Sequence, residues 1–205
     1  FFIQSMTKPV ISTAFMMLYE EGYFFLTDPI AKYLPEFKDM KVILDPSKGS
    51  EGGTEPAKSQ ITIAQVLSHT AGFVHGIGGT ELDREVAQAI YMSQPKTIEE
   101  RVKALAAQPL ASHPGEQWNY SASPDILARL IEVFTGMNPA DFLKTRLFEP
   151  LGMKDTGYNL IDSQVPRMVS LHTYDQEGNL AVAPRQTPTS GNTDFGGTHG
   201  LFSTA

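Results

Sequence analysis

Apolar residues recur at helical spacing in several stretches of the chain, each bounded by its own start and stop residues. In "SMTKPVISTAFMMLYEEG", Ile11, Phe15 and Leu18 share one face, which predicts a helix over 5–21 that stops before Gly22. Pro9 falls near the first turn, about as deep as a helix tolerates one. "LTDPIAKYLPEF" predicts a short helix capped by Asp28 with Pro29 at its first position. "TIAQVLSHTAG" offers Thr62 and Gln65 as a capping box and Gly72 as a stop, and "TIEERVKALAAQ" repeats the arrangement with Thr97 and Glu100. "SPDILARLIEVFTG" predicts a helix with Ser123 as cap, Pro124 first and Gly136 as stop, and "NPADFLKTRLF" uses Asn138 and Pro139 in the same roles. "DPSKGSEGGTEPAKSQ" lacks any period and reads as a long surface loop. From Leu151 onward Gly, Pro, Thr and Asn dominate, and only "RMVSLHTYD" and "NLAVAP" read as strands. The chain therefore divides into a mostly helical region over 1–150 and a loop- and strand-rich region over 151–205.

Composition narrows the class. With 205 residues, 41% hydrophobic and 19% charged, the chain can bury a real core and is unlike a disordered segment. Its net charge of −7, with Lys and Arg scattered, argues against nucleic acid as a partner. No apolar run reaches the roughly 20 residues of a membrane span. The absence of cysteine removes disulfides, thiolate metal sites and thiol nucleophiles. His69, His75, His113, His172 and His199 are scattered and form no H-E-x-x-H, so no metal and no cofactor are expected. Phe1 begins inside a structural element with no charged leader before it, which leaves the compartment open, the cytoplasm being favoured over periplasm or secretion.

Three stretches carry candidate chemistry. Ser5 and Lys8 stand at i and i+3, on one face at the start of the first predicted helix. On spacing alone they read as a cap serine with a solvated lysine. The same placement suits a nucleophile: the helix N-terminus favours a nearby oxyanion, and a partly desolvated amine can take the proton that keeps serine inert. In "HPGEQWNYSASPD", Tyr120 follows a Pro-Gly turn and precedes a helix, so its phenol could reach another element; Trp118 and Tyr120 could equally just pack the loop down. In "GGTHGLFSTA", Gly196, Gly197 and Gly200 either let backbone approach a ligand or make turns. Phosphate-loop glycine motifs and a G-x-S-x-G elbow are absent, which disfavours nucleotide binding and a Ser-His-Asp hydrolase.

"SMTK", "VLSHTAG", "PGEQWNYS", "PLGMKDTGY" and "GGTHGLFST" follow one another in the order and approximate spacing of the serine β-lactamase/penicillin-binding-protein superfamily. Within it the chain most resembles the class C β-lactamase-related carboxylesterases, the family VIII esterases. The resemblance implies an α+β fold of the β-lactamase/transpeptidase type. It implies Ser5 as the acylated nucleophile, Lys8 as its base or proton shuttle, and Tyr120 as the phenol beside the serine oxygen. It also implies that Ser5 N–H forms half of an oxyanion hole, that Trp118 walls the substrate pocket, and that no histidine takes part in the chemistry.

Two departures bear on substrate. The family's β-lactamases place Asn two positions after the tyrosine to bind the antibiotic's amide, and here that substrate-binding position is Ala122, which cannot make the bond. This favours small carboxylic esters over β-lactams and D-Ala-D-Ala stems, the rival substrates; a non-catalytic scaffold of the same fold is the other alternative. The family's third motif, on a later strand, does not occur before Ala205, and the first strands of its sheet do not precede Phe1. The chain is thus expected to be the central part of one catalytic domain, a helical lobe carrying the nucleophile helix with most of the antiparallel sheet outside it. Self-association, or a completing chain, would then cover the apolar side of that helix.

Overall fold

Helix α1 (Thr7–Glu20) lays one face against the core of the protein, whose computed structural model describes residues 1–183 and 188–205. Ile11, Ala14, Phe15 and Leu18 are completely buried along one side, as the periodicity requires. Full burial of each large side chain is worth about 1.5–3 kcal/mol. The helix ends where expected: Gly22 adopts φ +80° and Tyr23 N–H donates to Leu18 O, closing the last turn. Asp28 behaves differently from expectation. The turn Ile30–Lys32 after it has no side-chain cap, and the Asp28 carboxylate instead accepts from Phe25 N–H at 3.0 Å and the Tyr33 hydroxyl at 2.6 Å. A three-residue turn is too short to present a row of free N–H groups to a cap.

Strand β1 (Lys41–Ile43) lies just before the expected long surface loop over 45–60. The loop itself contains structure: a tight helical stretch, Pro46–Gly52, and strand β2 (Thr54–Pro56), which pairs antiparallel with β1. Helix α2 (Ile63–Leu67) carries the reciprocal Thr62/Gln65 box but stops well before Gly72, with His69 at φ +58° just after it. Helix α3 (Glu81–Ala87), continued by a wider turn over Gln88–Met92, was not apparent in the hydrophobic pattern. Its capping box pairs Thr80 with Asp83, a shorter acid than the usual Glu or Gln.

Helix α4 (Ile98–Ala106) is capped by Thr97, but the Glu100 carboxylate turns to Lys96 N–H, so only half the box forms. Helix α5 (Ser123–Thr135) begins at Ser123 itself with Ala122 before it. The Ser123 hydroxyl pairs with that of Ser121 at 2.7 Å instead of capping, because both are buried and each is the other's polar neighbour. Gly136 ends α5 in the left-handed conformation, and Asn138 caps α6 (Pro139–Leu143), which widens over Lys144–Phe148.

Helix α5 is the hub, packed against α1, α2, α4 and α6. The C-terminal quarter supplies a hairpin of β3 (His172–Tyr174) and β4 (Leu180–Val182), where strands were expected; Pro184, last of the second stretch, lies outside the described residues. A separate antiparallel ribbon joins Phe2, Phe202 and Gly157. Among the described residues the β-structure is confined to such short pairings, so this is an α+β chain dominated by its helices. No described helix is long and apolar enough to cross a membrane.

Candidate active site

Ser5 lies in the tight turn Gln4–Met6 that leads into α1, so its exposed hydroxyl sits at the positive end of that helix. Gln4 before it is held at φ +46°, a left-handed conformation that costs a non-glycine residue of order 1–3 kcal/mol. One turn on, Lys8 is buried, and its Nζ reaches the Ser5 Oγ at 3.2 Å and the Thr198 carbonyl at 2.8 Å. An ammonium donates three hydrogen bonds, and these two point it at the serine. Nζ also lies 4.6 Å from the centre of the Tyr120 ring.

Tyr120 is brought here by the loop before α5. Burial raises the pKa of its phenol, but interactions of the hydroxyl with Lys8 and Ser5, together with the lysine charge, outweigh that and set it below its ordinary value. Ser5, Lys8 and Tyr120, far apart or merely neighbouring in sequence, thus meet at one point. Trp118 is 64% exposed with its ring 6.5 Å from that of Tyr120, on the rim of the site. Ala122 is fully buried; its methyl is sealed in the core, and its N–H donates to Val74 O at 3.2 Å.

The scattered histidines are partly gathered. His69 and His75 lie against the Tyr120 ring at 5.3 and 5.2 Å. His69 Nδ1 meets the Ser121 hydroxyl at 2.9 Å, which ties α2's end to the residue after Tyr120. Burial, and then the Lys8 charge, lower the pKa of both imidazoles. Among the described residues no group of His, Asp and Glu could hold a metal ion.

Gly196 and Gly197 serve close approach. A Cβ on Gly197 would sit 2.0 Å from Pro124 O, and one on Gly196 would sit 2.9 Å from the Arg101 guanidinium. Their segment lies against the start of α5, where three charged residues with no motif of their own meet, Arg101 and Asp125 buried and Asp194 half-buried. Arg101 pairs with Asp194 and stands 3.5 Å from Asp125 Oδ2, while Asp125 Oδ1 accepts from Thr198 N–H at 2.8 Å. Burial raises Asp194 to about 6 despite Arg101 beside it. The available signal was Arg101 itself, which falls on the apolar stripe of Ile98, Val102 and Leu105.

A sequence model of the Beta-lactamase family matches residues 1–205. Protein Rv1367c of Mycobacterium tuberculosis is 32% identical over 209 residues, covering 100% of this chain and 51% of that protein. Esterase EstB of Burkholderia gladioli is 30% identical over 162 residues, 77% of this chain and 38% of that one. The solved structure of EstCE1, described as a hydrolase with promiscuous acyltransferase activity, superposes with a TM-score of 0.72 at 22% identity, over 97% of this chain and 54% of that one. The chain spans about half the length of the curated relatives it matches, or less.

Proposed function

The chain belongs to the beta-lactamase family, and from that membership we propose that it is the central part of a serine hydrolase acting on small carboxylic esters through an acyl-Ser5 intermediate. The observation that carries the reading is the convergence of the Lys8 ammonium, 3.2 Å from the Ser5 hydroxyl, with the Tyr120 phenol at the end of a helix. In this scheme Lys8 and Tyr120 together take the serine proton as Oγ bonds to the ester carbonyl. The same pair returns a proton to the departing alcohol as the old C–O bond breaks. Water, activated the same way, then adds to the acyl carbon, releases the acid and restores the serine. Ser5 N–H helps hold the oxyanion at each stage. The rest of the family fold, beyond residues 1–205, supplies the other oxyanion donor and the facing wall of the cleft. Trp118 walls the acyl or alcohol group from this side.

Ala122 favours esters over β-lactams only through the amide missing at that position, since its methyl is sealed in the core and, contrary to the expectation, lines no substrate pocket. The esterase names among the relatives point the same way.

The test is hydrolysis of p-nitrophenyl butyrate by the complete natural chain and by its Ser5→Ala variant, with intact mass to find an acyl adduct. Turnover should fall at least about 10³-fold in the variant, and Lys8→Ala should do nearly as much, since the two act together. Turnover retained by Ser5→Ala would end the reading.

A further inference from the structure

We propose that Asp125 is a positioning residue that holds the Thr198 carbonyl, and through it the Lys8 ammonium, in line with Ser5; this rests on the acyl-Ser5 reading above. Two buried hydrogen bonds carry the connection. Asp125 Oδ1 accepts from Thr198 N–H at 2.8 Å, and Thr198 O accepts from Lys8 Nζ at 2.8 Å. Asp125 and Thr198 are completely buried and Lys8 nearly so, so water cannot readily replace either bond.

The two carboxylate oxygens have separate tasks. Oδ2 faces Arg101 at 3.5 Å, a cation that offsets the cost of keeping a carboxylate in the interior. Oδ1 is thereby free to make a charge-assisted bond to a backbone amide, a stronger and more directional tie than a neutral acceptor gives. The segment it grips is held at its two ends, by the Tyr158 hydroxyl on Gly196 O and by Leu201 against Thr7 and Ile3. Asp125 Oδ1 is the tie on the Thr198 amide between them. Gly196 and Gly197 bring no side chains, and they let the backbone sit so close that a Cβ on Gly196 would be 3.0 Å from Asp125 Oδ1. A lysine has a flexible four-carbon stem, so its charge goes where its acceptors are. Fixing Thr198 O therefore fixes the direction from which Nζ meets the serine. A residue serving only the ion pair with Arg101 would not need Oδ1 on Thr198.

The experiment compares Asp125→Ala, Asp125→Asn and an amide-to-ester replacement at the Thr198 N–H, each made in the complete natural chain. Two readouts are taken: the rate constant for Ser5 labelling by a fluorophosphonate, separated from its binding constant, and hydrogen exchange over 196–200. Asp125→Ala and the ester should slow the labelling step at least about tenfold with binding little changed, as misplacement of a catalytic group does. Exchange over 196–200 should rise in Asp125→Ala. Asp125→Asn keeps an acceptor for Thr198, so it should restore both readouts to within about threefold.

Wild-type labelling in Asp125→Ala, or unchanged exchange there, would overturn the proposal. So would an Asp125→Asn protein as slow as Asp125→Ala, which would place the role in the ion pair with Arg101. Should Asp125→Ala not fold, the ester decides, because it deletes one N–H and no side chain. A wild-type protein that takes no label, with 196–200 protected only when residue 125 offers an acceptor, would overturn the acyl-serine reading and leave the anchoring bond standing.

Discussion

The segment from Asp194 to Phe202 and the β3–β4 hairpin both belong to the loop- and strand-rich last quarter of the chain, yet they end in opposite surroundings. In the first, Gly196, Gly197, Thr198, Leu201 and Phe202 are buried; in the second, five of the six strand residues are exposed. The difference lies in where the backbone finds partners. Gly196 O accepts from the Tyr158 hydroxyl, Thr198 uses Asp125 and Lys8, Leu201 uses Thr7 and Ile3, and Phe202 pairs with Gly157. Burying a polar backbone is tolerable only when each group is satisfied in this way. The hairpin pairs with itself, and its turn is closed by Asp175, which accepts from Glu177 and Asn179 N–H. It keeps its shape locally and places nothing at Ser5. A polar, glycine-rich stretch joins the interior when distant side chains are waiting for its backbone.

The contrast can be broken most severely at Gly197. Gly197→Ala puts a methyl 2.0 Å from Pro124 O, so the segment must move off α5. A loss of about 3 kcal/mol in chemical denaturation is expected, together with slower labelling of Ser5. A neutral Gly197→Ala would show that the segment can slide off α5 without loss.

Next in size is a pH effect from His199 on the same segment. Burial first, then the Arg101 charge, hold its imidazole down to about 4 from 6.5. Between those values the unfolded chain takes up a proton that the folded protein refuses. The stability tied to neutral His199 is therefore complete above 6.5 and lost as pH falls toward 4. Asp194 acts in the opposite sense: its pKa is raised to about 6, so its contribution is complete below 3.8 and lost as pH rises through 6. A His199→Gln variant removes only the first effect. Relative to wild type it should gain up to about 3 kcal/mol between pH 7 and pH 4 in urea unfolding. An offset that does not change with pH would mean that His199 is solvated. The smallest effect belongs to the hairpin: Tyr174→Ser should stay within about 0.5 kcal/mol and leave labelling unchanged, since Tyr174 is 74% exposed. A larger loss would tie the hairpin to the core.

Much of the fold was legible because its causes act within a few residues. The stripe Ile11, Phe15 and Leu18, the box at Thr62 and Gln65, the Asn138 cap and the Gly136 stop all operate over about one helical turn. Ser5 and Lys8 were visible for the same reason. Local signals also misled where burial intervened: Ser123 carries a cap's side chain, yet its hydroxyl is enclosed with Ser121 and the helix starts without it. Helix α3 went unread because its box closes with an aspartate. The sequence alone determined the helical body, the family and the pair of groups at the start of α1. Only the tertiary structure decided what surrounds that pair: Tyr120 against Lys8, two histidines against Tyr120, and a carbonyl 190 positions away accepting from the lysine. A hydrogen bond between such distant residues leaves no periodicity in the chain. Its partners become neighbours only after the core has closed, and burial then makes each bond matter.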